Sequence, residues 1–107
     1  MLDVKTLPIS IPYDKIVEFC KQWHVTEFAL FGSVLRDDFS DNSDVDVLVI
    51  FRDGASPTLF QFVQMGDELE ILFKRPVDLL TRKGVEASPN YIRRKEIRNS
   101  TQVIYAE

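Results

Sequence analysis

Three aspartates stand where acids are costly. Ser43-Asp44-Val45-Asp46 opens onto Val47-Leu48-Val49-Ile50-Phe51, and Asp78 is set within Val77-Asp78-Leu79-Leu80. Strand side chains alternate between faces, so Asp44 and Asp46, two positions apart, point the same way. Carboxylates that close repel, and one resists ionising unless a cation lies between them. Hard oxygen donors favour Mg2+, with Mn2+ as the alternative. A pair of carboxylates with a third can hold two such ions roughly 3.5–4 Å apart, clamping the attacking and leaving oxygens of phosphoryl or nucleotidyl transfer. Each acid also has a plainer reading. Asp44 can be a solvated loop residue, and Asp78 can pair with Arg75 or Arg82. Asp46 has no easy alternative, because an unpartnered aspartate ahead of five apolar residues is expensive.

Gly32-Ser33 is the other candidate. Glycine lets a phosphate approach the backbone N–H closely, and a helix opening at Ser33 would turn free N–H groups toward it. Taken alone, the pair is more simply a turn between strand and helix.

The elements that must position these residues alternate in type, which predicts a mixed α/β layer fold, a small mixed sheet flanked by helices. A helix is expected from near Pro12 to about Trp23, with Ile16, Phe19, Cys20 and Trp23 as its buried stripe. Thr26 to Phe31 reads as a strand ending at Gly32, and Ser33 to Arg36 as a short helix. A polar loop, Asp37 to Ser43, leads into Val45–Phe51, an apolar run expected to be a central strand covered on both faces. Ser56-Pro57 predicts a second long helix, with Ser56 as N-cap, running to about Phe73. Leu59, Phe62, Leu69, Leu72 and Phe73 are expected to face inward. Val77 to Thr81 forms a third strand, Ser88-Pro89 opens a basic helix to about Arg98, and Thr101 to Tyr105 is short and β-prone.

Phe31-Gly32-Ser33, ten further residues, then Asp44-Val45-Asp46, resembles the signature of the minimal nucleotidyltransferase family. That family belongs to the DNA polymerase beta-like nucleotidyltransferases, whose fold is palm-like. Arg36 stands where the family usually has an arginine, Ser43 matches the serine before the paired acids, and Val77-Asp78-Leu79 looks like the third-carboxylate strand. Val103-Ile104-Tyr105 is similar to the usual ending. Val34-Leu35-Arg36-Asp37-Asp38 is bulkier and more acidic than the common version. The resemblance implies that Asp44, Asp46 and Asp78 are catalytic and bind two metal ions, with Asp78 serving as base toward an acceptor hydroxyl. Gly32, Ser33, Arg36 and Ser43 would contact the nucleotide, ATP, though an ion pair with the acidic loop is an equal reading of Arg36. Many small relatives are antitoxins paired with a HEPN-domain toxin, and the implied reaction is adenylylation of a toxin tyrosine.

Bulk properties fit a single globular domain over residues 1–107. The chain is 45% hydrophobic and 28% charged, with formal net charge −4, a balance that argues against coating nucleic acid. The charge is uneven: residues 37–53 hold six acids and one base, residues 82–98 six bases and two acids. A lone cysteine, Cys20, excludes an internal disulfide. The sequence has no signal pattern and no membrane-length apolar run, so a cytoplasmic location is expected. His24, Cys20, Trp23 and the tyrosines are read as structural. Arg93, Arg94, Lys95 and Arg98 are either a solvated face or a contact for an acidic partner or for phosphates.

With no second domain to grip an acceptor, the acceptor is expected to arrive on another protein. Two alternatives stay open: a partner-binding scaffold with a regulatory or vestigial nucleotide site, and transfer to a small-molecule or RNA acceptor, for which a homo-oligomer could complete the pocket.

Overall fold

The computed structural model describes residues 9, 11–35, 40, 43–87 and 101–107. Helix α1 (Tyr13–Trp23) is followed by strand β1 (Val25–Phe31) and a 3-10 turn (Gly32–Leu35). Then come β2 (Val45–Phe51), α2 (Leu59–Phe73), β3 (Val77–Thr81), a short α3 (Arg82–Glu86) and β4 (Thr101–Ala106). The four strands form one mixed sheet in the order β3-β2-β1-β4. β2 and β3 are parallel, whereas β1 runs antiparallel to both β2 and β4. None of the described helices is long and apolar enough to cross a membrane.

Alternation along the strands splits the sheet into two unlike faces. Phe28, Leu30, Val45, Val47, Val49 and Leu79 join Ile16, Phe19 and Cys20 of α1 and Met65, Leu69 and Phe73 of α2 in the main core. Phe19 meets Phe28 edge-on, with ring centroids 6.1 Å apart, an arrangement aromatic pairs favour. The Trp23 indole N–H donates to Glu68 Oε2 at 2.8 Å and ties α1 to α2. The opposite face holds a smaller apolar group, Phe31, Leu48 and Leu80, with Val85 of α3 against it. β2 is interior to the sheet as expected, but this second face is only partly covered, since Asp46 and Ile50 are half-buried there.

Both long helices close with a left-handed residue, His24 for α1 and Lys74 for α2, whose N–H groups donate to Cys20 and Glu70 carbonyls. Pro12 lies just ahead of α1 rather than within its first turn. The start of α2 needs a larger correction. Its N-cap is Thr58, not Ser56: the Thr58 hydroxyl accepts from the Gln61 N–H at 3.1 Å, and the Gln61 side chain accepts from the Thr58 N–H at 2.9 Å. This reciprocal box satisfies two donors, where a serine cap satisfies one. Starting there turns Leu59 outward to 81% exposure, against the expected inward position, while Met65 is fully buried. Leu59, Phe60, Val63 and Ile71 form an exposed apolar stripe on the outer side of α2. α3, unforeseen, is a single turn capped by the Thr81 hydroxyl accepting from Gly84 N–H at 2.9 Å. The basic helix expected from Ser88-Pro89 to Arg98 lies outside the described residues.

Candidate functional site

The strand register draws the predicted residues into one line. Thr101, Phe31, Asp46 and Asp78 are successive partners across β4, β1, β2 and β3. Paired residues on neighbouring strands project from the same face, so Asp46 and Asp78 stand side by side on the open face. Asp44, two residues before Asp46 and one before β2 begins, shares that face. Behind this row lie Leu48 and Leu80, partners of each other, which provide an apolar floor.

Because β1 opposes β2 and β3, its carboxyl end meets their amino ends. Gly32 follows β1 immediately and thereby reaches the start of β2. Its φ is +76°, and a Cβ at this position would collide with Asp46 Oδ2 and stand 3.2 Å from its Cγ. The backbone turn and the aspartate are therefore in direct contact, with no room for a side chain between them. The site sits at the amino ends of the parallel pair, not in the carboxyl-end crevice usual for open α/β sheets. That other end holds a cavity of about 610 Å3 between Val49–Leu59, Phe62 and the Thr81–Lys83 turn.

Asp44 is exposed and Asp46 and Asp78 are half-buried. As donors all three suit a hard divalent cation. Among the described residues, however, no three acid, histidine or cysteine side chains converge as a metal cluster. What fits the group is the pairing of Asp46 with Asp78 across β2 and β3, with Asp44 exposed one residue before β2 begins.

Ser43 has a local role in the structure: its Oγ accepts from the Ser40 N–H at 3.0 Å. Ser33 lies in the 3-10 turn, and Arg36 lies outside the described residues. Arg82, one of two foreseen partners for Asp78, pairs with Glu86 at 3.2 Å. Arg75, the other, donates from Nη1 to the Ser43 and Ser40 carbonyls at 3.1 and 3.3 Å. That contact was not foreseen; the one sequence signal for it is an arginine just ahead of Pro76, where the chain enters β3.

The sequence pattern of the Nucleotidyltransferase domain family matches residues 13–103. The chain belongs to that family. This nucleotidyltransferase domain is 33% identical over 70 residues to the protein adenylyltransferase MntA of Thermococcus cleftensis, covering 65% of this chain and 69% of that one. It spans 64% of a candidate protein adenylyltransferase of Methanocaldococcus jannaschii, at 31% identity over 64 residues. Among solved structures, a candidate minimal nucleotidyltransferase superposes with a TM-score of 0.64 at 26% identity, covering 84% of this chain and 86% of that one. The tri-AMPylated HEPN toxin of Shewanella oneidensis in complex with MNT antitoxin gives a TM-score of 0.61 at 16% identity, covering 89% and 70%; at that identity the likeness is one of fold.

Proposed function

We propose that this nucleotidyltransferase domain transfers AMP from ATP, in a metal-dependent reaction, to the hydroxyl of a tyrosine on a HEPN-type toxin, acting as its antitoxin in the cytoplasm. The observation that carries the reading is the Asp46–Asp78 pair, aligned across β2 and β3 with Asp46 pressed against Gly32. The protein adenylyltransferase and the AMPylated toxin complex among the relatives support the nucleotide and the acceptor.

In this reading Asp44, Asp46 and Asp78 hold Mg2+, which when bound supplies charge neutralisation for the triphosphate. Gly32 and Ser33, with Ser43 and Arg36, hold the phosphates. The acceptor oxygen forms a bond to the α-phosphorus as the bond from that phosphorus to the bridging oxygen breaks. Pyrophosphate leaves, and the hydroxyl proton passes to the Asp78 carboxylate. The apolar floor of Leu48 and Leu80 excludes water on one side and so limits hydrolysis.

Incubation with Mg2+, α-labelled ATP and a co-encoded HEPN-type protein tests this. Label is expected on a partner tyrosine, and an Asp44→Asn variant is expected to transfer none. Failure of the parent to label any partner, with Asp44→Asn indistinguishable from it, would sink the enzymatic reading.

One feature favours a second reading, a module that neutralises its partner by binding. The outer stripe of α2 leaves four large apolar side chains, Leu59, Phe60, Val63 and Ile71, 56–81% exposed on one helix, the kind of surface that partner contacts cover. If Asp44→Asn abolishes turnover yet still neutralises the partner, binding is the main role.

A further inference from the structure

Asp44 is exposed, so packing does not hold it in place. Its backbone is held instead by hydrogen bonds on both sides. Before it, Ser40 and Ser43 are bonded to each other: the Ser43 N–H donates to the Ser40 carbonyl at 3.0 Å, and the Ser40 N–H to Ser43 Oγ at 3.0 Å. These bonds join Ser40 to Ser43 but do not attach either to the sheet. Arg75 does. Its Nη1 donates to the Ser43 carbonyl at 3.1 Å, the peptide group that joins Ser43 to Asp44, and to the Ser40 carbonyl at 3.3 Å. After Asp44, the Val45 N–H donates to the Pro76 carbonyl at 2.9 Å. The two peptide groups flanking Asp44 are thus fastened to one dipeptide, Arg75-Pro76, and Asp78 follows it by two residues.

We infer that Arg75 is a positioning residue, which sets the backbone of Asp44 relative to Asp78 and thereby the affinity of the three carboxylates for a divalent cation. The inference rests on the reading of Asp44 as a metal ligand. Groups that orient metal ligands without touching the metal commonly change metal affinity by about 10–100-fold when lost. The contact uses a single nitrogen shared between two carbonyls. A lysine ammonium can reproduce that pattern, whereas methionine, of similar length, offers no donor.

Mn2+ binding to the full chain, followed by the electron paramagnetic resonance of the free ion, tests this without reference to turnover. Melting temperature and hydrogen exchange at the Val45 amide are measured alongside. Arg75→Met is expected to weaken Mn2+ binding about ten-fold or more and to speed exchange at Val45, with Arg75→Lys recovering most of the affinity. A folded Arg75→Met with parental Mn2+ affinity, whatever its melting temperature, overturns the inference and leaves Arg75 a structural residue. Should Arg75→Met fail to fold, Arg75→Gln keeps one donor and is expected to bind Mn2+ with intermediate affinity; parental affinity there overturns the inference equally. Failure of the underlying reading looks different: Asp44→Asn then binds Mn2+ as the parent does, and the role of Arg75 falls with it.

Discussion

The Asp46 carboxylate fills the space that a side chain on Gly32 would need. Two separate constraints meet at Gly32. Its φ of +76° is a conformation that costs an ordinary residue roughly 1–2 kcal/mol, and any Cβ must also displace the Asp46 carboxyl. The glycine therefore serves the neighbouring acid as much as any phosphate.

Gly32→Ala is accordingly expected to lower stability by about 1–3 kcal/mol and to cut AMP transfer much further, because Asp46 must move from its place beside Asp78. Thermal unfolding and label transfer measured on the same preparation separate the two effects. A variant with parental transfer would mean that the Asp46 position is not critical.

Metal addition should stabilise the fold through the same row. At a hundred-fold excess over the dissociation constant, a ligand that binds only the folded state contributes about 2.7 kcal/mol. The parent should therefore melt higher in Mn2+ than in EDTA. Asp46→Asn and Asp78→Asn should each lose that increment while remaining folded in EDTA. An undiminished Mn2+ increment in both variants would place the ion elsewhere.

The corrected start of α2 gives a sharp contrast. Thr58→Ala removes the cap and is expected to cost about 1 kcal/mol. Ser56→Ala, outside the helix, should stay within about 0.5 kcal/mol of the parent. Chemical denaturation resolves the difference, and equal effects would restore Ser56 as the cap.

Met65 and Leu59, six residues apart on one helix, should respond in opposite ways. Met65→Ala opens a cavity in the core and is expected to cost about 2–5 kcal/mol. Leu59→Gln and Phe60→Gln, on the exposed stripe, should leave stability within about 0.5 kcal/mol of the parent, and should weaken partner capture if that stripe is a contact surface. Denaturation curves and co-purification with a HEPN-type toxin report the two outcomes.

Cys20 links pH to stability. Burial, aided by the negative charge of Glu107, pushes its thiol up to about 12, well above the ordinary thiol range. A raised folded pKa means that the unfolded chain releases its proton first. The stabilising contribution is complete below about pH 9 and is lost as pH rises from there toward 12. Cys20→Ala should flatten the fall in stability across that window. In the native parent the thiol should resist iodoacetamide at pH 8 and react only on unfolding.

The strands were the most legible part of the sequence. Val45–Phe51 and residues 77–80 are apolar runs interrupted by a single acid each. The alignment of Asp46 with Asp78 was not legible, because register between strands thirty residues apart is set by packing of both faces and not by local pattern. At α2, two start signals overlapped: Ser56-Pro57 has a proline suited to a first turn, but Thr58-x-x-Gln61 supplies a second hydrogen bond. The helix begins at the later signal, which leaves Leu59 exposed and buries Met65. α3 escaped because Arg-Lys-Gly-Val-Glu has no period and includes a glycine. The role of Arg75 depends on the Ser40 and Ser43 carbonyls, more than thirty residues earlier, which no local pattern could reach.

The pairing of β4 with β1 joins residues that are some seventy-five positions apart, with Glu27 beside Ala106. Until residues 101–106 have left the ribosome, one side of β1 has no strand partner in this sheet, and its hydrogen-bonding edge is exposed to other chains. Every other strand pairing of the sheet can form earlier. Premature termination after β3 would therefore leave a fragment bearing all three aspartates and an open β1 edge, prone to aggregate before it could bind anything.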